Sequence, residues 1–231
     1  MPSSPTAVAV TVAILIGYNA LQHVLLPSPL YVPANLAVAA AVVAIALREG
    51  ITFEELGLAR ARLRDGARLG LAAAALIALA VVVAAIIPAA RDAFMDRRAA
   101  NIGIAGLIYQ VLLLIPFGTV VLEEVAFRGA LLAQVARRAG IRAGVALSSL
   151  LFGLWHVLPS RALVTGNEAV AEVADGAGGR VLTVAGAVVV TGVAGALLSW
   201  LRLYSGSLGA PMLAHAASNG CAFGAAYVLM S

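Results

Sequence analysis

Charge is what this chain most lacks. Of its 231 residues, 11% are charged and 62% hydrophobic, whereas a soluble domain carries roughly 25% charged residues. The mean hydropathy is +1.01. So few charges cannot coat a water-facing surface, which excludes an ordinary soluble enzyme and indicates a polytopic membrane protein. Lysine is missing altogether, and all 15 basic residues are arginine. The net charge of +4 and the isoelectric point near 9.8 would otherwise suit a nucleic-acid binder. The arginines, however, cluster between apolar segments, which fits membrane topology better than a groove for phosphates. No nucleic-acid partner is expected. Cysteine is reduced to Cys221 alone, which excludes an intrachain disulfide and a Cys-rich metal site. Set among Ala, Gly and Phe, it reads as a small packing residue.

Other signals are missing too. The first residues, Met-Pro-Ser-Ser-Pro-Thr, carry neither the basic region nor the cleavage site of a secretory signal. The first apolar stretch is therefore expected to remain as a membrane helix. No stretch between apolar segments is long enough for a soluble domain, so residues 1–231 read as a single membrane domain.

What is present is a series of apolar runs near the ~20 residues needed to cross the hydrocarbon core. They cover residues 7–26, 34–47, 69–88, 103–122, 143–158, 181–201 and 208–230. The second is short unless it begins near Tyr31. The fourth continues past two glutamates to Ala136, interrupted by Pro116 and Gly118, so it is one span, or one span followed by a second helix. The expected fold is an all-α transmembrane helical bundle of seven to eight membrane helices. Residues 1–102 supply N-terminal helices, and residues 103–231 a C-terminal core with the functional site buried between its helices. Between them, Thr52 and Glu55 have capping-box spacing ahead of an arginine-rich run. The segment near 50–68 is expected to be a cytoplasmic amphipathic helix in the membrane interface, with Glu54 and Glu55 solvated. Gly140/Gly144 and Gly220/Gly224 have the spacing of close helix contacts.

The arginines also suggest an orientation. Arg48, Arg60, Arg62, Arg64 and Arg68 fall in one connection, Arg137, Arg138 and Arg142 in another, and Arg202 at the end of the sixth run. Placing these in the cytoplasm puts the N-terminus there as well. With a composition rich in Ala and Arg, the expected location is a bacterial plasma membrane.

Against this background two adjacent acids stand out. Glu123 and Glu124, followed by Arg128, lie in an otherwise apolar run. A carboxylate near the bilayer centre costs at least ~2.5–3.5 kcal/mol, and ionisable groups at that depth are functional by default. Glu124 and Arg128 are one helical turn apart, in the orientation that forms a salt bridge. Glu123 is rotated by about 100° and points elsewhere. Two further apolar helices add Phe152 with His156, and His215 with Asn219, each pair at i,i+4. Together they supply a free carboxylate, an imidazole and an imidazole–amide pair, an inventory suited to general acid–base work. His23, with Asn19 and Gln22 nearby but no acid in its segment, is expected to make a structural hydrogen bond between helices.

No Gly-x-Ser-x-Gly elbow occurs, nor the His-Glu-x-x-His signature of soluble zinc proteases. What remains is water activated by glutamate and histidine, with or without a metal.

Three motifs occur in order. Glu123-Glu124-Val-Ala-Phe-Arg128 resembles the EExxxR motif of the CAAX protease and bacteriocin-processing (CPBP, or Abi) family of intramembrane proteases. Phe152-Gly-Leu-Trp-His156 resembles its FxxxH motif, and His215-Ala-Ala-Ser-Asn219 its HxxxN/D motif. The resemblance covers roughly residues 117–224 and implies a glutamate-dependent endopeptidase acting on a membrane-associated peptide or protein. Glu123, His156, His215 and Asn219 would be catalytic, and Glu124, Arg128 and Phe152 supporting. The family is metalloprotease-like. If zinc or another divalent metal is bound, Glu123, His156 and His215 are its expected ligands, with one position left for water. Two other classes remain open. Buried Glu, His and Asn also mark proton- or ion-coupled transporters, and a catalytically idle member would serve as a membrane scaffold or immunity protein.

Overall fold

The protein is described by a computed structural model covering residues 5–231. Residues 1–4, part of the segment read above as lacking a signal, lie outside the described residues. So do the side chains of 161–163, 168 and 169, among them Arg161 and Glu168.

The apolar runs fold as helices. They are α1 (Pro5–Val24), α2 (Tyr31–Arg48), α3 (Leu63–Ile86), α4 (Ile104–Ala139), α5 (Ile141–Trp155), α6 (Gly176–Ser205) and α7 (Gly209–Met230). No strand occurs among the described residues. By length and composition, α1, α4 and α6, together with Ser28–Arg48 and Arg60–Ile86, are five helices able to cross a membrane. Against the expected seven to eight, α5 is apolar but only 15 residues long. The 22 residues of α7 include His215, Ser218 and Asn219, whose polarity lowers its hydropathy. Leu71, Leu76, Leu79 and Val82 on α3, and Val181, Val189, Val193 and Leu197 on α6, are each more than half exposed. Apolar surface of that extent has to face lipid. The protein is an integral membrane helical bundle.

The fourth apolar run, open between one helix and two, is a single helix of 36 residues. Its middle is underwound, in the stretch that contains Pro116. Gln110–Val120 and Glu124–Leu131 are wide π turns, with one ordinary turn, Val121–Glu123, between them. Proline donates no backbone bond and crowds the carbonyl one turn back, and a π register absorbs both defects. Every residue from 122 to 135 is buried, which makes this half of α4 the axis of the bundle. Around it pack α2 and α5, while α3 lies along α7 and α6 along α5. Glycines allow the close approaches. A methyl on Gly144 would press on the Leu132 carbonyl, and one on Gly220 on Val111, whereas Gly224 faces open space. Gly140 serves a turn instead, with φ +86° between α4 and α5.

Of the segment expected to be an amphipathic helix, residues 52–58 form a compact turn, and from Leu63 the chain belongs to α3. The capping box forms, with the Thr52 N–H donating to Glu55 Oε2 at 2.8 Å and the Glu55 N–H to Thr52 Oγ1 at 3.2 Å. Helix does not propagate, because Gly57 reverses the chain at φ +77°. Arg202 of α6 also donates to the carbonyls of Glu54 and Glu55. Glu55 is not left to solvent: Arg137 Nε and Nη2 bond its two oxygens at 2.8 and 2.6 Å.

Candidate active site

Midway along α4, the adjacent acids take different partners. Glu124 is fully buried, and its Oε1 accepts from Arg128 Nη1 at 3.0 Å, one turn along the helix. The same oxygen lies 2.8 Å from His215 Nδ1. With Glu124 ionised against Arg128, His215 donates from Nδ1, and this sets its tautomer. Arg128, also fully buried, stacks over the Phe152 ring at 3.8 Å from its centroid. A desolvated cation–π contact of this kind contributes ~2 kcal/mol. Phe152 packs edge-on against His156, His215 and Phe127, so one ring braces both histidines and the ion pair.

Glu123 faces the other way. Its Oε1 accepts from Trp155 Nε1 at 3.0 Å. Its Oε2 is buried with no hydrogen-bond partner, and His215 Nε2 stands 3.7 Å from it, beyond hydrogen-bond reach. Trp155 is fixed in turn, its carbonyl accepting from Asn19 Nδ2 of α1 at 2.9 Å. Its indole packs edge-on to Phe127.

Glu123 lines a cavity of about 620 Å³, in whose wall His156 and Asn219 also stand. His156 Nδ1 lies 2.8 Å from the Phe152 carbonyl. A carbonyl can only accept, so Nδ1 carries the proton and Nε2 is left basic. His215 is buried behind this wall rather than in it. Of the four residues expected to be catalytic, three share the cavity, and the fourth contacts it through Glu123.

The wall holds residues that motif reasoning passed over. Tyr31 opens α2 with its hydroxyl 3.3 Å from Thr119 Oγ1, and Arg98 and Asp96 stand at the rim. Arg98 bonds both Asp96 oxygens, Nη2 to Oδ2 at 2.6 Å. Burial opposes the charge on Asp96, but the bonds from Arg98 outweigh it and hold the carboxyl below its usual range. His23 was expected to bond a neighbouring helix. Its Nδ1 meets the Asn19 carbonyl of its own helix at 2.8 Å, its ring lines the cavity, and the bond between helices belongs to Asn19. The i,i+4 spacing of Asn19 and His23 was the available signal for this polar face of α1.

Among the described residues, no group of three or more His, Cys, Asp or Glu side chains is arranged to hold a metal ion. Nδ1 of His215 is committed to Glu124, and its Nε2 stands 3.7 Å from Glu123 Oε2.

The family model of the type II CAAX prenyl endopeptidases, Rce1-like, matches residues 105–221. The match spans half of the chain and includes Glu123, Arg128, His156, His215 and Asn219. No curated protein and no solved structure matches the chain. A membrane bundle whose paired glutamates, motif histidines and Asn219 lie within that matched half belongs to the Rce1-like family of CAAX-type intramembrane endopeptidases.

Proposed function

We propose that the protein is a glutamate-dependent endopeptidase hydrolysing a peptide bond of a membrane-associated peptide or protein, with Glu123 as general base. The observation that carries this is the pairing of the two oxygens of Glu123. One is held by Trp155; the other is buried and without a hydrogen-bond partner, in a residue that lines a cavity shared with His156 and Asn219. A carboxylate so placed has one oxygen oriented and one available to a water.

In the proposed reaction, water binds between Glu123 Oε2 and the basic Nε2 of His156. Glu123 removes its proton as the oxygen attacks the scissile carbonyl carbon. The tetrahedral oxyanion is stabilised by the Asn219 amide, whose N–H groups donate, while His215, whose position Glu124 fixes, stands behind Glu123. The carbon–nitrogen bond then breaks, and the proton on Glu123 passes to the leaving amine, which restores the carboxylate. General acid–base transfer of this kind contributes roughly 10²–10⁴-fold. No step is routed through a metal. Purified protein treated with a strong chelator is expected to cleave a quenched apolar peptide at its original rate, yielding two products with masses that add up to substrate plus water. Loss of cleavage on chelation, restored by zinc, would overturn the metal-free chemistry.

A further inference from the structure

The two ends of the bundle differ in charge, and the cavity belongs to one of them. One end is tied together by the Arg137–Glu55 bonds, by Arg202 on the carbonyls of Glu54 and Glu55, and by the Leu208 N–H donating to the Gly57 carbonyl at 2.8 Å. It gathers the connections α2–α3, α4–α5 and α6–α7. At the other end Asn167 Nδ2 donates to the carbonyls of Asp92 and Ala93, which joins the α3–α4 and α5–α6 connections. The cavity lies at this second end. Gln22 and His23 close α1, Tyr31 opens α2, and Asp96, Arg98 and Asn167 belong to the connections. The first end and its flanking turns carry nine arginines, 48, 60, 62, 64, 68, 137, 138, 142 and 202, alongside Glu49, Glu54, Glu55 and Asp65. The second has five, 91, 97, 98, 161 and 180, alongside Asp92, Asp96, Glu168, Glu172 and Asp175. Basic connections are retained in the cytoplasm, and acidic residues weigh little in that choice.

We infer that the cavity opens on the extracytoplasmic side, so that the substrate is a polypeptide outside the cytoplasm: an exported peptide, or the outer flank of a membrane-anchored protein. The choice of substrate rests on the proteolytic reading; the sidedness does not. Ile115, Ala187, Ala222 and Phe223 give the wall an apolar lining, which suits a short apolar stretch entering in extended form. Substrates carrying a cytoplasmic prenylated C-terminus would meet the closed, arginine-rich end instead.

Two measurements separate these claims. In a Cys221→Ser background, Ala93→Cys and Ala61→Cys report the two ends; both positions are exposed. A membrane-impermeant maleimide applied to intact spheroplasts is expected to label Ala93→Cys at once and Ala61→Cys only after permeabilisation. The reverse pattern, or equal labelling of both, would overturn the sidedness. Right-side-out vesicles are then expected to cleave an impermeant quenched apolar peptide at least tenfold faster than inverted ones, with the signal lost in Glu123→Gln. Faster cleavage by inverted vesicles would overturn the substrate assignment. Cleavage by neither, with the labelling as expected, would count against proteolysis alone.

Discussion

At the scale of single residues, the site depends on two neighbouring acids being spent differently. Glu124 is used up by Arg128 and His215, which makes a buried charge tolerable, and Glu123 is thereby the acid left for chemistry. Removing one partner of a buried pair costs ~3–5 kcal/mol, because the other charge is stranded. Arg128→Ala is therefore expected to unfold at a much lower temperature in detergent, and a change of a degree or two would contradict the pairing. Asn219 stands in the cavity wall with no such structural load. Asn219→Ala is expected to lower kcat by roughly 10²–10³, the usual loss for an oxyanion donor, with KM and the unfolding temperature nearly unchanged. The pairing of Glu124 with Arg128 was legible in the sequence because i,i+4 geometry is local. The Trp155 bond to Glu123 was not, because it depends on how α5 docks against α4.

At the scale of elements, α5 delivers His156 by packing tightly on α6. A methyl placed on Gly153 would collide with the Val188 carbonyl and meet Gly192 Cα at 3.3 Å. Overpacking of this kind costs ~1–3 kcal/mol. Gly153→Ala is expected to show both a lower unfolding temperature and weaker peptide cleavage, since His156 follows three residues later; wild-type values for both would contradict this contact. The apolar runs themselves were easy to read, because lipid demands long stretches without charge. The π turns of α4 left no trace in that pattern, since hydropathy does not report hydrogen-bond register, although Pro116 marked the place. The turn at 52–58 was misjudged as helix for a related reason. The Thr52–Glu55 box is a local start signal, whereas the stop comes from Gly57 and from Arg202, 148 residues from Glu54.

At the scale of the whole molecule, the Glu55–Arg137 pair ties the α2–α3 connection to the end of α4. Its bonds to Arg137, aided by those from Thr52, bring the Glu55 carboxyl down to about 2. The folded value lies below the unfolded one, so the pair's contribution is complete above the ordinary carboxylate range of ~4.3. It is lost as the pH falls from there through about 2. Partly exposed pairs are worth only ~0.2–1 kcal/mol. The small gap in unfolding temperature between wild type and Glu55→Gln is therefore expected at neutral pH and should close in acid; a gap that persists at pH 2 would contradict the assignment. The bundle and the order of the three motifs were visible along the chain. The cavity was not, because its wall draws on α1, α2 and two connections that share no motif.

The central claim, that Glu123 is the base, is tested most directly by Glu123→Gln, which keeps the acceptor for Trp155 and removes the proton acceptor. Glu123→Gln is expected to keep the wild-type unfolding temperature while peptide hydrolysis falls ~10²–10⁴-fold; hydrolysis at the wild-type rate would contradict the role of Glu123 as base.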